Sequence, residues 1–286
     1  MFSRPLSLPL ALLLGAIVVV TLFPIFWIVM TALKPPTDWN AVPAIWIPSD
    51  PTLINFATLF NPEALGVYGV GGVSESATKA VFGSLLTSIT ATALSVAIGL
   101  AAAIALSRYT TSGRATPLII LSARMFPPAA IAVPFVIIFS NTGLIDTYTG
   151  LIAIYVAVTL PFSTWMLKSF VDDVPREVEE AAMVDGRSRF AAHLFVTVPL
   201  IRGGLFATTL FIFILNWSEF LFALVLSYSN IETIPVRLAK YVTATAGTLY
   251  GVQAALAVIA MVPLVIAGVL IQNHLARGMT FGAVKR

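Results

Sequence analysis

The chain has 286 residues, of which 58% are hydrophobic and 10% are charged, with a mean hydropathy of +0.96 and a formal net charge of +3. Soluble domains carry about 25% charged residues, so this composition indicates an integral membrane protein, and its small basic excess does not indicate nucleic-acid binding. Because the chain has no cysteine and 2 histidines, disulfides, Cys nucleophiles, thiolate metal sites and multi-histidine metal sites are excluded.

The first apolar run, Leu6–Leu33, predicts a membrane-spanning helix. A secretory signal peptide is the alternative, but its apolar core would be about 7–15 residues long and would end at a small-residue cleavage site. This run is nearly twice as long, so we interpret it as an uncleaved transmembrane helix.

The longest predicted extramembrane segment covers about residues 34–79 and is rich in Pro, Gly and aromatic residues. Two interpretations stay open for it. The aromatic side chains could lie at the membrane interface, or the segment could form a surface that meets an external partner. Nothing in its sequence identifies a ligand.

Five further apolar runs are each long enough to cross about 30 Å of hydrocarbon. They cover Ala80–Leu106, Thr116–Phe139, Gly150–Leu167, Val198–Leu226 and Val252–Leu275. Six spans place both termini on the same side, and most of the 16 Lys and Arg residues fall on that side, which predicts that it is cytoplasmic. The predicted fold is an all-α membrane protein with six transmembrane helices, one domain over residues 1–286 and cytoplasmic termini.

Small residues crowd the second span, including Gly83, Ser88, Ser95 and Gly99. Small side chains let helices approach closely in lipid, where packing drives helix association, so this span is predicted to be a central packing helix. Prolines interrupt other spans, and irregular backbone at membrane depth is tolerated where it is buried or lines a cavity. The strongest such break is predicted in the third span, from Arg124 to Pro128.

A polar segment, Val174–Pro199, separates the fourth and fifth spans within a loop of about residues 168–198. Ten of the chain's Lys, Arg, Asp and Glu residues lie between Lys168 and Arg189. Pro175 suits the first position of a helix, Gly186 suits its C-cap, and Ser188 can cap a second short helix that continues through Leu194. The segment therefore predicts a cytoplasmic helix-turn-helix. It is interpreted either as a docking element or as a solvated amphipathic connector.

The spacing inside this segment resembles a known signature. Glu180-Ala181-Ala182, then Gly186 after three residues, then Val196-Thr197-Val198-Pro199 after nine more, is similar to the EAA signature of ABC importer permeases. Further stretches resemble the carbohydrate-uptake branch, and in particular permeases related to the shorter subunit of the maltose transporter. They are Arg124–Pro128, Thr142–Thr147, Asn216–Phe220 and Gly278–Lys285. Ser218 departs from the branch, where many relatives have Asn.

The resemblance implies a multi-pass subunit of a prokaryotic inner or plasma membrane. A second permease would form the translocation pathway with this chain, two ATPase subunits would bind Mg-ATP and drive transport, and an external solute-binding protein would deliver a sugar. The chain contains no G-x-x-x-x-G-K-[ST] phosphate-binding loop. We therefore expect it to hold no cofactor and to be no enzyme itself.

The same resemblance implies two contact sites for the ATPases. The first is the coupling loop, with Glu180, Ala181, Ala182, Asp185, Gly186 and Pro199. The second is the tail of about residues 276–286, with Thr280, Phe281, Gly282 and Lys285. The alternative for the tail is a disordered end.

Arg124 and Glu219 are the ionisable residues that the predicted spans contain. Such residues usually face the bundle interior or a water-filled cavity. They could pair with each other across the third and fifth spans, or they could line the pathway and bind sugar hydroxyls. Tyr155, Asn216 and Trp217 are further pathway candidates, with packing as the alternative.

Several functions stay open within and outside this class. An importer for another polar solute, such as a polyamine or a glycerol phosphate ester, is the alternative to a sugar importer. A membrane-embedded enzyme is disfavoured, because no paired carboxylates or nucleophile-plus-base arrangement occurs on the spans. A passive channel is disfavoured by the docking segment.

Overall fold

The computed structural model describes residues 7–68, 75–109, 116–122, 127–243 and 247–282. Side chains are described in these ranges except at residues 67, 117, 118, 121, 242, 243, 247, 248 and 272–282. The regular secondary structure of the described part is helical apart from a short antiparallel pair of strands, β1 (Val242–Thr243) and β2 (Gly247–Thr248), in which Val242 pairs with Thr248.

The helices vary widely in length. The first six are α1 (Leu8–Ala32), α2 (Ile54–Phe60), α3 (Thr78–Arg108), α4 (Thr116–Ser122), α5 (Pro128–Asn141) and α6 (Tyr148–Asp172). The next five are α7 (Arg176–Val184), α8 (Arg189–Ala192), α9 (Val198–Leu200), α10 (Arg202–Trp217) and α11 (Leu221–Leu226). The last two are α12 (Ile234–Lys240) and α13 (Tyr250–Gly282). Two 3₁₀ turns, Pro36–Asp38 and Pro62–Tyr68, lie on either side of α2.

Four described helices are long and apolar enough to cross a membrane: α1, α3, α6 and the Tyr250–Ile271 part of α13. They confirm four of the predicted spans as continuous helices. The third predicted span is divided into α4 and α5, which has 14 residues. Pro127 is the N-cap of α5 with ψ 127°, and Pro128 is its first residue, a position where the missing N–H of proline is tolerated.

The fifth predicted span has different bounds from those expected. Pro199 does not open it, because α9 ends at Leu200 and the chain bends by 78° before α10 begins at Arg202. Ile201 at the bend has φ −90° and ψ 10°, outside the helical region. α10 then ends at Trp217, and α11 is a separate helix. Pro199 therefore lies just before the bend at Ile201, and it does not mark the first residue of α10.

The chain divides into two compact units, residues 1–78 with 237–262 and residues 79–236 with 263–286. In the first unit, the segment after α1 is held by Asn55, whose Nδ2 donates to the carbonyls of Ala32 at 2.9 Å and Lys34 at 2.8 Å. A Cβ on Gly251 would lie 2.4 Å from Trp39 Nε1 and 2.6 Å from Asn55 Nδ2. Only glycine fits there without displacing these side chains.

The second unit is built around α3, α6 and α10. α3 buries part of its small residues, including Gly83, Ser88, Ser95 and Gly99. A Cβ on Gly99 would lie 2.4 Å from Ser163 Oγ of α6, and the Ser95 and Thr159 hydroxyls are 2.8 Å apart. These contacts need close helix backbones. Ala93, Ala97, Ala101 and Ala105 of the same helix are exposed, so a central packing role for the whole span stays a prediction.

Candidate functional site

The polar segment folds as the predicted helix-turn-helix, with small differences at its ends. Pro175 is the N-cap of α7 and not its first residue. Gly186 has φ +88°, and the N–H groups of Gly186 and Arg187 bond the carbonyls of Met183 and Ala182, so the left-handed C-cap is confirmed. Ser188 caps α8 by accepting from the Ala191 N–H at 3.3 Å.

The second helix of this segment is shorter than expected. α8 ends at Ala192 rather than at Leu194, and the chain continues as a π-helical turn, His193–Thr197. Turns of this kind occur frequently at functional sites. Here the turn carries the two side chains, His193 and Thr197, that contact α7.

α7 and α8 present a mixed apolar and acidic face to solvent. Val184 is 87% exposed and Phe190 is 75% exposed, and both lie outside the predicted spans. Glu180 and Ala181 are also exposed, while Ala182 is half-buried. Exposed apolar side chains next to polar ones are typical of protein interaction sites. We call this surface, defined by Glu180, Ala181, Val184 and Phe190, the docking face.

Next to Glu180, α7 holds a buried carboxylate that the sequence did not single out. Glu179 is 4% exposed. Arg108, the last residue of α3, binds it with its Nε at 2.9 and 3.0 Å from the two carboxylate oxygens and its Nη2 at 2.8 Å. Thr197 donates to Oε1 at 2.6 Å and His193 Nδ1 lies 3.4 Å from Oε2. We call these four residues the Glu179 network.

Electrostatics favour the ionised form of this carboxylate. Burial would raise the pKa of Glu179, but hydrogen bonds from Arg108 and Thr197 and the nearby charges of Arg108 and His193 hold that pKa below its ordinary value. A second arginine contact runs from α7 to α3: Arg176 of α7 donates to the Ser107 carbonyl of α3 at 2.8 Å. α7 is therefore tied to the end of α3 by two arginines, one from each helix.

A weak sequence signal for Glu179 existed. Glu179, Ala182 and Met183 recur at helical spacing and form the less exposed side of α7. Arg108 was predicted on the same side of the membrane, so a partner was available. A cavity of about 170 Å³ lies beside this contact, lined by Arg108, Tyr109, Arg176, Glu179, Glu180, Met183, Arg189, Ala192 and His193.

The intramembrane candidates have packing partners in the second unit. Glu219 accepts from the backbone N–H groups of Phe222 at 2.9 Å and Ala223 at 3.1 Å, so it caps α11. The buried Tyr155 hydroxyl lies beside the Glu219 carboxylate, although it misses the geometry of a hydrogen bond. Arg124 lies outside the described residues, so its pairing with Glu219 stays a prediction.

The other two pathway candidates are buried between helices. Asn216 donates from Nδ2 to Thr92 Oγ1 of α3 at 3.1 Å, and the Trp217 ring lies 5.6 Å from that of Phe213. A cavity of about 460 Å³ in the same unit is lined by Ile89, Thr92, Ala93, Thr209, Leu210, Phe213, Pro263, Ile266, Ala267 and Leu270. Tyr155, Asn216 and Glu219 are not among these lining residues, so a role for them in the pathway stays a prediction.

The predicted tail contact is described only in part. The last turn of α13 contains Thr280, Phe281 and Gly282, but the structure does not describe their side chains. Lys285 lies outside the described residues.

One stretch that supported the family resemblance, Thr142–Thr147, contains a second structural anchor. Asp146 accepts hydrogen bonds from consecutive backbone N–H groups of the loop after α11. They belong to Tyr228, Ser229, Asn230 and Ile231. Lys79 also binds the Ser229 carbonyl. The loop before α6 therefore fixes the loop that follows α11, a contact that the sequence did not indicate.

Comparisons with known proteins place these features in context. Residues 95–281 match the model of a family described as "Binding-protein-dependent transport system inner membrane component". The chain is 34% identical over 280 residues to a sulfoquinovosyl glycerol transport system permease protein of Agrobacterium fabrum, covering 97% of this chain and 94% of that one. It is 31% identical over 278 residues to a trehalose/maltose transport system permease protein of Thermococcus litoralis, covering 96% of each.

A solved structure has the same fold. It is a bacterial ABC transporter involved in the import of the acidic polysaccharide alginate. The TM-score is 0.74 at 20% sequence identity, covering 92% of this chain and 94% of that chain. At this identity the likeness concerns the fold alone.

Proposed function

This chain belongs to the family of binding-protein-dependent transport system inner membrane components, and on that premise we propose that it imports a sugar or oligosaccharide. As a member it is a multi-pass permease subunit and not an enzyme. The carbohydrate assignment is supported by the relatives, which are named for the transport of sulfoquinovosyl glycerol and of trehalose and maltose. Import of a polyamine or glycerol phosphate ester is the alternative.

In this proposal the chain works with three kinds of partner subunit. A second permease forms the pathway with this chain, two ATPase subunits bind Mg-ATP, and a solute-binding protein delivers the sugar. The docking face supports the ATPase contact, because Val184 and Phe190 are exposed outside the spans and Glu180 of the same segment is exposed as well. An apolar surface of this kind is stabilised when a partner covers it.

The residues of the coupling loop and of the tail have separate roles. Glu180 pairs with a cation of the ATPase, Ala181 and Ala182 allow close approach, and Gly186 ends α7 in the left-handed conformation. Asp185 is the C-cap residue of α7. Pro199 lies in the short helix before the 78° bend, where it helps to direct the chain into α10. Thr280, Phe281, Gly282 and Lys285 form a second ATPase contact.

The test of the docking role compares variants in the complex purified through a tag on this chain and reconstituted in proteoliposomes. Glu180→Lys and Gly186→Leu are expected to keep membrane insertion but to abolish ATP-driven sugar uptake. Gly186→Asn is expected to retain activity, since Asn tolerates the left-handed conformation. Glu177→Lys, on the same helix and also exposed, is the matched control. Wild-type uptake by Glu180→Lys would refute the docking role.

The substrate class has its own test. A thermal-shift screen of the solute-binding protein that stimulates the reconstituted complex should show stabilisation by a sugar. Stabilisation by a polyamine or a glycerol phosphate ester, with no response to sugars, would replace the carbohydrate assignment. Uptake that needs neither ATP nor a binding protein would favour a passive channel.

The proposed topology has six spans with both termini in the cytoplasm. α4 with α5 forms the third span, and the α10 region forms the fifth. Since the chain has no cysteine, single Cys substitutions report each side of the membrane with an impermeant maleimide. Glu177→Cys, at an exposed position of α7 outside the docking face, is expected to react only after permeabilisation, and Val42→Cys, 95% exposed, in intact cells. The reverse labelling pattern would contradict this topology.

A further inference from the structure

Two adjacent carboxylates of α7 point to different partners. Glu180 is exposed on the docking face, whereas Glu179 is buried in the Glu179 network. The docking role explains Glu180 and leaves Glu179 without a function. Burying the Glu179 carboxylate costs solvation free energy. The contacts that offset this cost therefore indicate what Glu179 does.

The Glu179 carboxylate is held from two sides. Arg108 of α3 binds it on one side with three contacts of 2.8 to 3.0 Å. Thr197, in the π-helical turn that leads to α10, donates to it at 2.6 Å on the other. The Glu179 side chain therefore connects the end of α3 with the π-helical turn that precedes α9 and α10.

Arg108 is itself fixed to the connection before α7. Its Nη2 donates to the Val174 carbonyl at 2.9 Å, while its Nε and Nη2 bind the carboxylate. A planar guanidinium with several directed donors restrains a partner in distance and orientation, as a single ammonium does not. The pair therefore restrains the orientation of α7 relative to the end of α3.

α3 is in turn coupled to the rest of the second unit through close contacts. Gly99 packs against Ser163 of α6, and Asn216 of α10 donates to Thr92 at 3.1 Å. A densely packed helix moves as a body rather than deforming locally. A displacement of α7 applied to Arg108 would reach α6 and α10 through α3.

We propose that Glu179 and Arg108 are positioning residues that transmit displacement of the docking helix to α3. This inference rests on the proposed function, because it needs an ATPase that moves α7. Glu180 then receives the displacement, and Glu179 passes it on within the permease. Neither residue contacts substrate or nucleotide.

The test measures sugar molecules transported per ATP hydrolysed in the reconstituted complex for Glu179→Gln, Arg108→Gln and the double variant. Both single variants are expected to lower this ratio at least about fivefold, the lower end of typical coupling between two sites, while ATP hydrolysis persists. Glu177→Gln, an exposed residue of the same helix, is the control with a wild-type ratio.

The double variant separates positioning from structural stability. Removing both charges leaves no unpaired buried charge, so its thermal stability should return towards the wild-type value. Its transport ratio should stay low, because two Gln side chains do not reproduce the three contacts. A wild-type ratio in the double variant would show that the pair is only structural and would overturn the proposal.

Distance measurements give a second, independent readout. Spin labels at Glu177→Cys on α7 and Ile98→Cys on α3, both exposed, should keep one narrow distance with and without trapped ATP. In the Glu179→Gln background, the distribution should broaden or change with nucleotide. A nucleotide-dependent change equal in both backgrounds would refute the transmission role.

The failure of this inference can be told apart from that of the proposed function. If the wild-type complex shows ATP-driven uptake and Glu180→Lys abolishes it, the proposed function holds whatever the Glu179 variants do. Wild-type ratios in both Glu179→Gln and Arg108→Gln would then overturn the positioning role alone. A wild-type complex without ATP-driven uptake would overturn the proposed function itself.

Discussion

Replacing Asp146 by Asn tests the anchor between the loop before α6 and the loop after α11. The Asp146 carboxylate accepts from four consecutive backbone N–H groups at 2.8 to 3.2 Å. Asn has nearly the same shape but offers one acceptor oxygen and places an NH₂ group where the second oxygen accepted. The substitution therefore removes about half of the acceptor capacity and the negative charge.

The size of the effect follows from the titration of this carboxyl. Burial would raise the pKa of Asp146, but the four backbone N–H groups lower it from 3.8 to about 2. A shift of that size corresponds to at most about 2.5 kcal/mol, and solvent screening of this half-buried group reduces it to about 1 kcal/mol. Because the folded-state pKa is depressed, this stabilisation is present above pH 4 and is lost as the pH falls towards 2.

Thermal unfolding in detergent, followed by the fluorescence of the 5 Trp residues, measures this contribution. Asp146→Asn is expected to lower Tm by roughly 2–4 °C at pH 7, and the difference from wild type should shrink as the pH falls below 4. Asp50→Asn, at an exposed loop position, is the control and should leave Tm unchanged. A Tm difference that is absent at pH 7, or that persists undiminished at pH 2.5, would refute the reasoning.

Two further predictions use the same unfolding assay. Gly204→Ala should destabilise the protein by about 1 kcal/mol, since the added Cβ would lie 2.3 Å from the Phe170 ring and overpacking outweighs the gain in helix propensity. Gly203→Ala is the control, because nothing lies within 4 Å of its Cβ, and it should be neutral or stabilising. Equal effects at both positions would contradict this prediction. Asn55→Ala should cost about 1–3 kcal/mol, because it removes the side-chain donor of the buried Ala32 carbonyl and one of two donors of the Lys34 carbonyl, to which Trp39 Nε1 also donates. Asn40→Ala, at an exposed position, should change stability by less than about 0.5 kcal/mol, and a similar loss at both would show that Asn55 is no anchor.

The sequence predicted those features that depend on local signals. Long apolar runs predicted α1, α3, α6 and α13, because hydrocarbon thickness sets the length of a spanning helix. Gly186 predicted the end of α7, because a left-handed C-cap needs a residue that tolerates positive φ. The spacing from Glu180 to Pro199 predicted the family that the comparison with known proteins then showed.

Breaks inside apolar runs were harder to place. Pro199 predicted the start of the fifth span, but the structure bends by 78° two residues later, before Arg202. A proline restricts its own backbone and that of the residue before it. It leaves open where a helix resumes, because that depends on the helices against which it packs.

Glu179 and Glu180 show what only the tertiary structure decided. The two residues are neighbours of the same type in one helix, so composition and spacing treat them alike, and the signature drew attention to Glu180. The structure buries Glu179 against Arg108, which lies 71 positions away in the chain, and leaves Glu180 exposed. Which carboxylate faces inward is set by the rotation of α7 about its axis, and that rotation is determined by contacts with α3 and the π-helical turn. Local sequence determined that this segment is a capped helix on a membrane permease; long-range packing determined which of its charges meets a partner and which holds it in place.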